Sequence, residues 1–399
     1  MTPSLDRIVD AHYWGQHGFP HEEMRELRET KAVWRYEGGV VDPFWLLTRR
    51  EHIAEVSRDS ELWTSTKRVT VEQPRGEPAP IRSIVHMDPP EHGKYRTILQ
   101  SWLGPANVRR LEGRLAAISA ELVDELSERD EADFVEEIAA IHPVRMLCEL
   151  LGIPRSQEQQ VLRLAKLIFA GSDPELAEGD RATRFGEVLA FCKDLTSTRQ
   201  ARPTDDLASA IANATIDDEP IGMFEVISNL LVLLGAGHDT TASAISGGLL
   251  ALIQHPRELE KLRSDPSLVP TAAEEIIRWV TPTTNFMRTA TADVELGGAR
   301  IAKGDDVYLS YASANRDESV FDAPFEFRVD RHPNPHLGFG IGTHGCIGQV
   351  LARLEVRTLL DALVPRLQSW ELVNEPVWVQ AIWVSSLKRL QVRYEVSAA

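Results

Sequence analysis

Two short apolar alternations open the chain, and helical periodicities fill most of the remainder. Val33–Tyr36 and Phe44–Leu47 are β-prone runs on either side of Glu37-Gly38-Gly39, and Asp42-Pro43 adds a second turn signal. They predict a small β-rich portion over residues 30–50. From Arg49 onward apolar residues recur at helical spacing. Pro89-Pro90-Glu91 starts a helix as proline does in a first turn, with Asp88 as its capping candidate. Residues 107–126 and 157–170 read as further helices, and the acidic run 125–137 as a solvated helix face and loop.

The most informative segment is 220–255, whose middle, 227–236, is apolar nearly all round. Such a helix is buried and central, and at 1.5 Å per residue it is about 50 Å long. Short β-prone pieces come later, at 294–301, 307–309, 371–373 and 387–394. The expected fold is therefore mainly α with small β-sheets. The regular strand–helix alternation of a doubly wound sheet is missing, as are internal repeats, low-complexity tracts and Gly/Ser linkers.

Composition narrows the function classes. Sixty acidic against 43 basic residues give a formal charge of −17, which argues against nucleic acid or an anionic membrane as the main partner. Three scattered cysteines, Cys148, Cys192 and Cys346, make no disulfide framework and fit a reducing compartment. The start, MTPSLDRIVDAHYWGQ, shows no basic region followed by an apolar one, and no apolar run reaches about 18 residues. A cytoplasmic, non-membrane enzyme is expected.

Three clusters carry candidate chemistry. The first is the glycine-rich run 338–348. Gly340, Gly342 and Gly345 satisfy G-x-G-x-x-G, but His332-Pro333-Asn334-Pro335-His336 precedes them where a dinucleotide site needs a strand. A Cys/His catalytic pair lacks any supporting signature. A third reading makes Cys346 a thiolate metal ligand at a helix start, with glycines that let a flat ligand approach the backbone. The second cluster is Glu275 and Arg278, three residues apart on one helix face. The third is Asp239-Thr240, which comes after Gly237 inside the central apolar helix. A carboxylate there is costly unless solvated or paired. Glycine weakens the helix locally and a threonine hydroxyl can bond back to it. The trio suggests a groove with an acid and a hydroxyl placed to relay protons.

Taken together, these stretches resemble the cytochrome P-450 family of haem-thiolate monooxygenases over essentially the whole chain. The family pattern F-x-x-G-x-H-x-C-x-G falls at Phe339, Gly342, His344, Cys346 and Gly348, and 351–355 continues it. E-x-x-R falls at Glu275 and Arg278, and the upstream 325–331 stretch brings Arg331. Ala236-Gly237-His238-Asp239-Thr240-Thr241 matches the oxygen-activating helix, and 86–92 with Arg96 matches a haem-propionate helix. The resemblance implies one cytochrome P-450 domain over 1–399, with the long central helix crossing the haem, rather than the two or three domains that length alone suggests.

It also implies roles. Cys346 would be the axial thiolate of haem b (iron protoporphyrin IX). His92, Arg96, Arg288 and His344 would hold the propionates, with Ala236, Phe339, Gly340 and Gly348 against the cofactor. Glu275, Arg278 and Arg331 would form a buried network, while Thr240 and Asp239 would manage protons at the oxygen site. That acid–alcohol pair separates O₂ activation from two alternatives, a peroxide-driven haem oxidase and a non-catalytic haem-binding sensor. A ferredoxin-type iron–sulfur protein with its NAD(P)H-dependent reductase would supply electrons to a monomer, docking on Arg82, Lys94, Arg109, Arg110 and Arg353. Substrate contacts would map to 69–84, 162–173, 233–236, 283–286 and 381–384. They include Leu233, Thr283, Thr284, Asn285, Phe286, Ile382 and Trp383, with Thr283, Thr284 and Asn285 as polar anchors. These regions are largely apolar, and 169–174 loosely resembles members that oxidise terpenoids, steroids or fatty chains.

Overall fold

The computed structural model describes residues 5–79, 81–169, 173–176 and 180–398. Its axis is the helix Met223–Gln254, 32 residues or about 48 Å long. It begins after Pro220 because Glu219–Pro220 pairs with Thr215–Ile216 as a small hairpin. Its N-terminal half packs Val226, Leu230, Leu231 and Leu234 against helices Ile141–Leu150 and Glu158–Phe169. Its C-terminal half packs Ile245, Leu249 and Leu252 against helices Val269–Val280 and Gln349–Leu363. Each such side chain, fully buried, contributes about 1.5–3 kcal/mol. One helix therefore joins two core clusters, which fits its largely apolar composition.

The N-terminal runs form the expected strands, β1 (Val33–Tyr36) and β2 (Phe44–Leu47), paired antiparallel. They do not form a separate portion. β2 pairs in parallel with a strand some 260 residues later, in a sheet that also contains β3 (Trp63–Thr64), β4 (Asn285–Ala290) and β5 (Asp306–Ser310), ordered β1-β2-β5-β4-β3. The alternation that predicted the strands holds no information about that distant partner.

Other local expectations are corrected. The 107–126 helix is broken into Pro105–Val108, a tight turn at Arg109–Leu111, and Glu112–Ser127. The acidic run is solvated in part, yet Glu131–Asp133 is an edge strand on Gln391–Val396. There the buried Asp133 carboxylate accepts from the amides of Val135 and Leu390. Asp88 does not cap helix Glu91–Leu103. Its side chain turns away to accept from the Ser65 amide, at 2.9 Å, and the Thr64 hydroxyl. The helix expected over 157–170 runs Glu158–Phe169, and its last expected residue, together with 171 and 172 of the 169–174 stretch, lies outside the described residues. Cys148 and Cys192 are core residues whose thiols burial pushes up to about 12. Among the described residues no helix is long and apolar enough to cross a membrane.

Candidate functional site

The Cys346 loop is shaped by its own backbone. Gly340 N donates to Leu337 O at 2.9 Å, Gly345 N to Gly342 O at 3.0 Å, and Cys346 N to Phe339 O at 2.8 Å. No strand lies between Tyr311 and this loop, which removes the dinucleotide reading. Gly342 sits at φ +74°, and a Cβ there would lie 2.2 Å from the Ser57 carbonyl oxygen. Cys346 ends the loop just before helix Gln349–Leu363. Burial pushes its thiol pKa up, while the Gly348 amide and the charges of Arg96 and Arg353 pull toward the thiolate. From Gly338 to Arg353 no residue is buried, although Phe339, Ile341, Ile347, Val350 and Leu351 are apolar.

The central helix presents a matching stripe. Leu233, Ala236, Gly237 and Thr240 share one helical face, and all four are partly or fully open in the middle of a buried helix. The Thr240 hydroxyl donates to Ala236 O at 2.6 Å. Leu233 from this stripe and Ile347, Val350 and Leu351 from the cysteine segment pack on one and the same apolar cluster. Two half-open apolar surfaces thus meet at their edges, one carrying a thiol and the other a hydroxyl. Such a pair of surfaces suits a flat, apolar ligand.

At one side of the cleft positive charge is concentrated without compensation. The His92 and His344 rings lie tilted against each other with centres 4.4 Å apart, and His344 Nε2 lies 3.1 Å from Ser65 Oγ. Arg96 donates to Gly345 O at 2.7 Å and Arg288 to the carbonyl of Met287 at 2.7 Å. Among the described residues neither arginine is in an ion pair, and the buried His92 Nε2 has no partner. Burial, then the charges of Arg288, His92, Arg96 and His86, holds His344 down at about 2. The buried Arg288 and the half-buried Arg96 beside it, cations without counter-ions, need an anion, and the two neutral imidazoles can donate to it. The two carboxylates of protoporphyrin IX answer that need, so the residues fit the cofactor.

Glu275, Arg278 and Arg331 meet beneath the loop. Arg278 is bidentate to Glu275 at 2.7 and 2.8 Å, and both side chains are fully buried. Arg331 adds a third contact, and its remaining donors reach the carbonyls of Asp322, Ala323 and Glu326. Beside them Arg353 pairs with Glu274 at 2.5 Å and lies 4.3 Å over the Phe339 ring. Burial pushes the Glu274 carboxyl up, but hydrogen bonds from His336 and then Arg353 hold it at about 2.

Three expectations change in the folded chain. Thr284 and Asn285 are buried, and they bond the backbone of Trp383 and Ile382 at 3.0 and 2.8 Å, so they brace that segment instead of reaching a ligand. Ile382 is itself buried, whereas Leu233, Thr283, Phe286 and Trp383 stay half-open. Of the five proposed docking cations, Arg82 pairs with Glu91 and Glu225, Lys94 with Asp217, and Arg353 with Glu274. Only Arg109 and Arg110 among the five are exposed with no ion pair among the described residues. Sequence reasoning also passed over His238, whose ring bonds Asp239, and Glu355, buried against Thr241. His238 was legible as the neighbour of Asp239. Glu355 was legible only as the end of the 351–355 continuation, with no role attached.

Comparison with known proteins agrees with this geometry. The family model described as Cytochrome P450 matches residues 135–377. The chain is 34% identical to cytochrome P450-terp of a Pseudomonas species, over 88% of each chain. It is 33% identical to a steroid C26-monooxygenase of Mycolicibacterium smegmatis, over 94% of this chain and 90% of the relative. The crystal structure of CYP108D1 from Novosphingobium aromaticivorans superposes with a TM-score of 0.89 at 34% identity, covering 100% of both chains. The protein therefore belongs to the cytochrome P450 family, haem-thiolate monooxygenases that bind protoporphyrin IX.

Proposed function

We propose that this protein inserts one oxygen atom of O₂ into a hydrophobic small molecule of the terpenoid, steroid or fatty-chain type, with electrons from a ferredoxin. The observation that carries the reading is the open stripe Leu233–Ala236–Gly237–Thr240 facing an apolar cleft that also holds Cys346. Cys346 would ligate the haem iron, and His92, Arg96, Arg288 and His344 would neutralise its propionates. Bound there, the haem supplies the iron chemistry that activates O₂. The chain's own part is to exclude water, place the substrate and deliver protons. Thr240 offers a hydroxyl on the open face, and Asp239 stands next to it as the acid. The half-open Phe286 and Trp383, edge-to-face at 5.6 Å, form an aromatic wall. A wall of this kind favours an apolar substrate, and the names of the relatives, terp and steroid C26-monooxygenase, point the same way.

We also propose a cytoplasmic monomer, folded as one domain over 1–399, that receives electrons at Arg109 and Arg110 beside the cysteine helix. The reduced protein with carbon monoxide should show the strongly red-shifted Soret band of thiolate ligation, lost in Cys346→Ser. A histidine-type band refutes the assignment. Screening terpenoids, steroids and fatty acids for a low-to-high spin shift then identifies the substrate class, and small polar acids should give none.

A further inference from the structure

The His238 ring is wedged between a backbone carbonyl, which only accepts hydrogen bonds, and a carboxylate, which only accepts while it is ionised. Its Nε2 lies 3.0 Å from the carbonyl oxygen of Ala140, and its Nδ1 lies 2.9 Å from Oδ1 of Asp239. A carbonyl oxygen has no hydrogen to give, so Nε2 must carry one. An ionised carboxylate has none either, so Nδ1 must carry one as well. Turning the ring over puts carbon where each nitrogen stands and loses both bonds. His238 is 1% exposed, so water does not stand in for either partner. Only an imidazolium donates at both ends, and the carboxylate beside it supplies the counter-charge.

Next to this pair lies a cavity of about 60 Å³ whose lining includes His238, Asp239, Glu136, Lys166, Ser386 and Lys388. One water needs on the order of 10–15 Å³, so the cavity has room for several. At its outer end Glu136 is exposed and pairs with Lys166 at 2.5 Å. Lys388 is held by Asp173 at 2.9 Å and by Glu175 at 3.2 Å. Each lysine already has a carboxylate, which leaves the Asp239 carboxylate to His238. The rest of the lining is apolar, Val135, Ala140, Ala242, Val384 and Leu387 among it, so the cavity joins an exposed acid to the pair through a few polar groups on the side away from the open stripe.

We infer that His238 is a positioning residue that holds one proton in reserve for Asp239 and is recharged from this cavity. The Nδ1 proton moves to Oδ1, and the protonated carboxyl then releases a proton toward Thr240. The pair is left as neutral imidazole and carboxylate, and one proton entering from the cavity restores it. One proton enters, one leaves, and no electron moves. The relay deepens the reading of Asp239 and Thr240 given above and rests on it.

Nitrogen-15 histidine NMR on the haem-loaded, diamagnetic ferrous carbon monoxide complex tests the stored proton without turnover, with His238→Gln assigning the signal. Both His238 nitrogens should carry a proton, as their two acceptors require, and Asp239→Asn should leave a neutral ring. A neutral His238 in the unmodified protein at pH 7 overturns the proposal. Turnover supplies the second arm. His238→Gln can still donate one N–H to Asp239 but stores no proton, so product formed per NADH should fall roughly tenfold, as it should in His238→Ala. Full coupling in the Gln variant shows a merely structural role and overturns the relay. Unchanged coupling in Thr240→Ala overturns the underlying reading of the acid–alcohol pair, whatever the NMR shows.

Discussion

Arg331 Nε donates to both carboxylate oxygens of Glu275, at 3.2 and 3.1 Å, across 56 residues of chain. Arg278 grips the same carboxylate from one helical turn away, Asn334 adds a contact at 3.1 Å, and the Arg328 amide another at 2.8 Å. A single buried carboxylate thus fastens the helix Val269–Val280 to the segment that leads into the Cys346 loop. Its position beneath the cleft makes it a clamp on the loop's approach.

Glu275→Gln keeps the shape and removes the charge, leaving two buried guanidiniums without a counter-ion. Breaking such a network should cost about 3–5 kcal/mol, read as a lower urea midpoint and a loss of haem content. A cost within about 1 kcal/mol, the range of an exposed pair, refutes the clamp.

Gly342→Ala attacks the loop from the other side. Its φ of +74° is unfavourable for alanine, and the new methyl group would run into the Ser57 carbonyl oxygen. Backbone cannot step aside as a side chain does, so the loop must shift. The variant should lose about 1–3 kcal/mol and show a weakened thiolate band with carbon monoxide. A fully normal band would mean that the loop tolerates the shift.

Arg288→Leu should move the apoprotein and the haem-loaded protein in opposite directions. In the apoprotein it removes a buried guanidinium with no ion pair among the described residues, so stability should rise by on the order of 1 kcal/mol. In the loaded protein it removes a propionate partner, so haem should transfer faster to a scavenger such as apomyoglobin. Slower transfer, or a destabilised apoprotein, contradicts the anion-site assignment.

Glu355 and His142 give stability a defined pH dependence. Burial pushes the Glu355 carboxyl from 4.5 up to about 8, with Thr241 bonding pulling weakly the other way. The folded state then holds more protons than the unfolded one, so stability falls as pH rises from about 4.5 to about 8. Burial, then the Arg145 charge, lowers His142 from 6.5 to about 3, so its contribution rises with pH up to about 6.5. Between about 4.5 and 6.5 the two slopes oppose each other, and above that range Glu355 acts without His142. Glu355→Gln should flatten the decline between about pH 6.5 and 8 and be the more stable protein at pH 8. An unchanged slope in chemical denaturation removes Glu355 as its source.

Arg109→Glu with Arg110→Glu should slow reduction by a ferredoxin and flatten its salt dependence, because these exposed cations have no intramolecular partner to neutralise them among the described residues. Lys94→Glu, where the native side chain already pairs with Asp217, should slow it less. Stopped-flow reduction at several ionic strengths measures both. Equal effects, or none, place electron entry elsewhere.

Local sequence determined what depends on residues close together in the chain. The largely apolar middle of Met223–Gln254 specified a central helix with most of its surface buried, since apolar side chains on nearly every face must be covered. The glycine spacing around Cys346 specified a tight loop, because only glycine takes the +64° and +74° angles there without strain. β1 and β2 were legible from alternation and turn residues. Tertiary structure decided what depends on distant partners. It set β2 against β5, turned Asp88 away from its helix toward Ser65, and drew Thr284 and Asn285 into backbone bonds with 382–383. It neutralised three of five surface cations that a linear reading counted as free. It also enclosed the His238 ring between Ala140 and Asp239, two acceptors whose demand for protons exists only when chain segments about 100 residues apart close around one imidazole.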